Sequence, residues 1–234
     1  EKPRRGKIRR RNGAKEGSMR LAKGKAGVLG ILFAEAVLVA AANTLVHATV
    51  RLKCSHQFAD GDVRDKMVRV FAEKVAEKLG KDVAFRVYPA SSLYKPKEQW
   101  DALRQGALDL CVFPLDYAAG KVPEVSITLL PCSVSSLKQA MGWRNKPIGQ
   151  RIEKVVEANG VKILVWAWLD GGIGGTTRQI ILPEDAKGLK MRAAGKKFEF
   201  MLRDAGASIT SMPSSEIYHA LATGVLDACL TSCS

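Results

Sequence analysis

Arg192 is the residue of this 234-residue chain best placed to do chemistry. It ends the short run Leu189-Lys190-Met191-Arg192, and a small-residue turn, Ala193-Ala194-Gly195, leads from it toward a helix-forming stretch. In open α/β folds, ligands collect at the carboxyl ends of strands, beside helix starts. A guanidinium presents a planar fork that meets a carboxylate with two parallel hydrogen bonds. Spacing alone leaves two readings open: an anion-binding arginine, or an ordinary solvated one, since charged side chains are mostly exposed.

Catalytic constellations are missing. The sequence holds no G-x-S-x-G elbow, no Walker A loop, no H-E-x-x-H and no C-x-x-C pair. Its three histidines, His47, His56 and His219, are scattered, and its five cysteines have no zinc-ligand spacing. Cys54 and Cys111 fall in apolar runs and read as small buried hydrophobes. The run Gly171-Gly172-Ile173-Gly174-Gly175 lacks the order of a dinucleotide loop and suits a hinge. No catalytic residue, metal site or cofactor is expected.

The elements around Arg192 follow from periodicity. Val50, Leu52 and Cys54 alternate as in a strand. Met67, Val70, Phe71, Val75 and Leu79 recur at helical steps, and Gly80 stands where a helix would end. A second strand is expected over 83–88, a helix over 96–105 and a buried strand over 108–113. Residues 136–159 read as a helix interrupted at Pro147, and 161–168 as another strand. Beyond the glycine run, short strands are expected at 177–182, 189–192, 207–210 and 225–230, with helices at 196–204 and 214–223. This alternation predicts an α/β fold with parallel-dominated sheets. Trp166 and Trp168 share one face of the 161–168 run; core packing is the plainer role, ligand stacking by Trp168 the other. His56 follows the first strand and is a candidate cleft residue.

Two stretches carry a family resemblance. Residues 182–192 (LPEDAKGLKMR) resemble the PeDlkGlKiR motif of TRAP-transporter solute-binding proteins of the DctP type, and 212–227 (MPSSEIYHALATGVLD) resemble mpfsEvYtALqtGvvD. Phe71-Ala72-Glu73, Gly106-Ala107-Leu108-Asp109 and Val122-Pro123-Glu124 match in order and spacing, so that nearly all of 49–234 is covered. The resemblance implies a two-domain periplasmic binding protein (type II-like), with a hinged cleft that closes on a small organic acid. It implies a binding subunit rather than an enzyme. It makes Arg192 the carboxylate ligand and Arg178 a second ligand-facing cation. Thr231 stands where the family commonly has asparagine, and Ser214 where it commonly has an aromatic. From the first domain it adds Tyr94 and Glu98. Its partners would be small and large TRAP membrane subunits, with the subunit itself a monomer. An ABC-type importer subunit or a sensor's ligand domain shares the architecture, and an exported enzyme is the alternative from another class.

Charge distribution bears on location. The net charge of +14 would suggest nucleic acid or an anionic surface. Residues 1–48, however, hold 11 Lys+Arg against 3 acids, and the rest only 26 against 20. Basic residues before the apolar stretch 26–42, then Val46-His47-Ala48, read as a signal peptide with a start at Met19 and cleavage after Ala48. A periplasmic location is expected, and nucleic acid is not. The organisation anticipated is a leader at 1–48, a first α/β domain at 49–171 and a second at 172–234, incomplete at its C-terminus.

Overall fold

A computed structural model describes residues 49–176 and 178–232. The expectations for the leader, the Met19 start and cleavage after Ala48 lie outside the described residues. Within residues 48–234, which form one compact unit, two sheets are built. The first draws its strands from β1 (Val50–His56), β2 (Val83–Tyr88) and β3 (Leu110–Val112), in the order β2-β1-β3 and all parallel. The second uses β4 (Gly171–Gly175), β5 (Lys190–Arg192), β6 (Ser208–Thr210) and β7 (Ala228–Ser232), in the order β4-β7-β5-β6. Only its β4–β7 pair is antiparallel. The α/β, parallel-dominated expectation is met.

Parallel pairing needs a crossover long enough to return the chain. Helix α1 (Val63–Leu79) supplies it between β1 and β2. Asp62 caps α1 by accepting the Arg64 amide, and Gly80 closes it at φ +59°, where its N–H reaches the Ala76 carbonyl. The short α2 (Gln99–Arg104) precedes β3. Next come α3 (Leu137–Met141) and α4 (Pro147–Ala158), in place of one interrupted helix. Pro147 opens α4, a position where its missing N–H costs nothing. In the second sheet, α5 (Lys196–Asp204) joins β5 to β6, and α6 (Ile217–Ala222) leads to β7.

Each sheet has its own buried cluster. Trp100, Ala118, Val122, Val125, Ile152 and Val156 pack beside the first. Met191, Ala193, Leu202, Ala207, Ala228 and Leu230 pack around β5 and β7 in the second.

Four expectations are corrected. Residues 161–168 form no strand: their side chains largely alternate in burial, but no described strand pairs with them, and a strand exists only through its ladder. The glycine run is not a loop but β4. Its register sets Gly172 against Thr231, and Gly171 passes so near the Thr231 carbonyl that a Cβ would lie 3.2 Å from that oxygen. Residues 178–182 are irregular, although a strand was expected at 177–182. The α2 start also moves, from 96 to Gln99, because the Glu98 carboxylate accepts the Lys95 amide and forms a turn there.

Candidate functional site

Arg192 is the last residue of β5 and sits between Thr210 of β6 and Cys229 of β7. Only 1% of its surface is exposed. Its Nε donates to the Met212 carbonyl at 2.9 Å, and its Nη1 to the Leu230 carbonyl at 3.0 Å. Nη2 donates to the Tyr117 hydroxyl at 3.1 Å. Among the described residues no carboxylate forms an ion pair with it. Burial therefore dominates its electrostatics and holds its pKa below the ordinary arginine value. This is a desolvated, fixed cation whose plane is set by two backbone carbonyls.

Tyr117 reaches it from the other sheet's side of the chain. It belongs to the single turn Leu115–Ala118 that follows β3. Its hydroxyl also accepts the backbone N–H of Ser214 at 3.1 Å, and its ring packs edge-on against Phe113. One oxygen thus gathers two donors, a guanidinium N–H and a backbone amide.

The preceding residue makes a second connection. Asp116 is 5% exposed, and its carboxylate faces the backbone amide of Lys196, at the start of α5. It lies so close over Gly195 that a Cβ there would collide with it. Its Oδ1 has no partner among the described residues. Burial, with Glu199 nearby, pushes this carboxyl up to about 6 against the pull of the Lys196 amide and Lys197.

The other residues named from sequence are placed as follows. Ser214 and Thr231 stand beside this cluster: Ser214 through its amide, and Thr231 next in chain to the Leu230 carbonyl. Arg178 is exposed, and its guanidinium donates to the carbonyls of Asp185 and Lys187. It lines a separate open pocket with Ile173, Thr176 and Gln179, and no hydrogen bond among the described residues joins it to Arg192. Glu98 is exposed and engaged with Lys95. Tyr94 is half-buried, its carbonyl accepting from Gln99 Nε2. Trp168 stacks on Trp166 at 6.0 Å and meets Trp143 edge-on at 5.1 Å.

His56 is fully buried, with Nε2 3.1 Å from Asp65 Oδ1. Asp65 also accepts from Arg69 Nε at 2.8 Å and from the Gly61 amide at 3.0 Å, and Arg69 chiefly holds its carboxyl down at about 2. The next residue, Gln57, is 2% exposed, and neither polar atom of its amide has a partner among the described residues.

Sequence reasoning missed Tyr117, Asp116 and Gln57. The signal existed: all three follow the carboxyl end of a strand, the rule that singled out Arg192. Among the described residues no group of His, Cys, Asp and Glu could hold a metal ion, and no helix is long and apolar enough to cross a membrane. Burial pushes the Cys54 and Cys111 thiols up to about 11 and about 12, which keeps them unreactive.

The chain is similar in sequence and fold to known proteins. A solute-binding protein of Albidiferax ferrireducens is 42% identical over 189 residues, covering 79% of this chain and 56% of that protein. The C4-dicarboxylate-binding periplasmic protein DctP of Rhodobacter capsulatus is 30% identical over 205 residues, 86% of this chain and 61% of that one. A crystal structure of a TRAP periplasmic solute-binding protein from Rhodoferax ferrireducens, with bound malonate, superposes with a TM-score of 0.75 at 42% identity, covering 77% of this chain and 59% of that one. The chain thus spans somewhat over half the length of these relatives. The sequence model of bacterial extracellular solute-binding protein family 7, DctP, matches residues 54–234, and the chain belongs to that family.

Proposed function

We propose that this chain is the solute-binding part of a TRAP-type transporter. It works in the periplasm as a monomer, captures a small organic acid by its carboxylate, and passes it to small and large membrane subunits. Residues 49–171 and 172–234 act as the two halves that close on the ligand. Binding shifts an open–closed equilibrium by the ligand's greater affinity for the closed form.

The observation that carries this reading is Arg192 as a buried cation with no counter-ion among the described residues. Desolvating a charge is costly unless it is paired and hydrogen-bonded. Of the five N–H donors of a guanidinium, three have acceptors in Met212, Leu230 and Tyr117, leaving two unmatched among the described residues. A carboxylate would supply both the missing charge and acceptors for those donors. The malonate-bound relative supports the same ligand class. Ser214 and Thr231 are the next candidates for contact, being adjacent to Arg192's partners. Arg178, Tyr94, Glu98, Trp168 and His56 are further candidates, none joined to Arg192 by a hydrogen bond among the described residues.

A thermal-shift panel of malonate, succinate, a keto acid and a sugar acid on the full chain tests this. A bound ligand raises the melting temperature with its concentration over Kd. Arg192→Ala should weaken the best of them by about 2–5 kcal/mol, the cost of truncating one partner of a buried charge pair. Equal affinity in that variant, or no stabilising acid, would falsify the reading.

A further inference from the structure

Tyr117 has a hydroxyl whose lone pairs are both engaged and whose proton is not. Arg192 Nη2 and the Ser214 amide each point at its oxygen from 3.1 Å. A tyrosine hydroxyl has one donor as well, and among the described residues nothing accepts it. The ring is held by the edge-on contact with Phe113, so the hydroxyl is fixed rather than swinging freely. Accepting from a cation polarises an O–H and strengthens what it donates, because chained hydrogen bonds reinforce one another.

We propose that Tyr117 is a ligand-binding residue whose O–H is donated to the same carboxylate that Arg192 neutralises. The inference rests on the carboxylate reading of Arg192 and deepens it. Arg192 supplies charge and two N–H groups without acceptors among the described residues; Tyr117, 3.1 Å from Nη2, supplies a third donor. Because Tyr117 follows β3 and Arg192 ends β5, a carboxylate held by both is shared between the two sheets. Selectivity follows as well. A neutral hydroxyl or amide of a ligand could accept the Tyr117 O–H but would lose the ionic contact with Arg192.

The test measures malonate binding by calorimetry to the full chain and three variants. Arg192→Gln should abolish detectable binding. Tyr117→Phe should weaken it by about 10- to 100-fold, the range for a hydrogen bond to a charged group. Incorporation of 3-fluorotyrosine at Tyr117, a stronger donor and poorer acceptor of the same shape, should tighten it. If Tyr117→Phe binds malonate as well as or better than the unaltered chain, while Arg192→Gln does not bind, Tyr117 is no ligand and the Arg192 reading stands. If fluorination weakens binding, the hydroxyl only positions Arg192, and the proposal fails. If the unaltered chain binds neither malonate nor any other acid of the panel, or Arg192→Gln binds malonate equally, both fail together.

Discussion

The Tyr117 hydroxyl lies 3.1 Å from Nη2 of Arg192, across 75 residues of sequence, and this one contact links the turn after β3 to the end of β5. Met212 and Leu230 complete the guanidinium's setting through their carbonyls. Position and charge are therefore separable properties of Arg192.

Arg192→Lys separates them. Lysine keeps a charge but offers a compact ammonium instead of a fork, so the Met212 and Leu230 carbonyls cannot both be reached in the same geometry. A loss of about 1–3 kcal/mol in unfolding free energy is expected, the cost of leaving buried polar groups unpaired. Urea denaturation without ligand measures it. An unchanged midpoint would mean that these bonds contribute nothing to the fold.

Asp116 predicts a pH dependence. Its carboxyl rises from 3.8 to about 6 on folding, chiefly through burial. The folded state then holds the proton more tightly than the unfolded state, so stability declines as pH rises from about 4 to about 6 and is level above. Asp116→Asn removes that decline. The variant should melt higher than the unaltered chain at pH 8, with the gap shrinking toward pH 4. A gap independent of pH would remove Asp116 as its source.

Gly195→Ala sets a Cβ against the Asp116 carboxylate. The backbone there is extended, so the cost comes from collision alone. A destabilisation of about 1–3 kcal/mol is expected, as for overpacking. Combining it with Asp116→Ala should recover part of that loss, since residues in contact are energetically coupled. Simple addition of the two effects would show that the carboxylate is not what the methyl meets.

Asp65 acts with the opposite sign. Arg69, then the Gly61 amide and His56, favour its ionised form and hold it down at about 2. Its contribution is full above about pH 4 and disappears as pH falls through about 2. Asp65→Asn should lower stability at pH 7 by about 1–3 kcal/mol, leaving Arg69 and the buried His56 Nε2 poorly matched. The difference from the unaltered chain should narrow on acidification, as followed by circular dichroism.

Local patterns carried most of the fold. The alternation Val50, Leu52, Cys54 falls on β1 and the spacing from Met67 to Leu79 on α1, although Val50, Met67, Val70 and Leu79 are exposed and α1 buries Asp65 and Val68. What periodicity does not contain is the partner. Residues 161–168 have a strand's alternation without a described ladder, and Gly171–Gly175 has a loop's composition yet lies paired along β7. The site shows the same division. Arg192 is legible because its strand end and its motif are contiguous. Tyr117 also follows a strand end, but its link to Ser214, 97 residues away, lies in no single window of sequence.

That separation also governs the order of assembly. Arg192 reaches its place only when Leu230 has arrived to take Nη1, and Leu230 follows it by 38 residues. During synthesis β5 can therefore leave the ribosome with its guanidinium unanchored and still hydrated. Contacts of such long range form late, after shorter loops have closed. The anchoring of Arg192 is thus complete only once β7 has joined β5, and it reports on how far the second sheet has assembled.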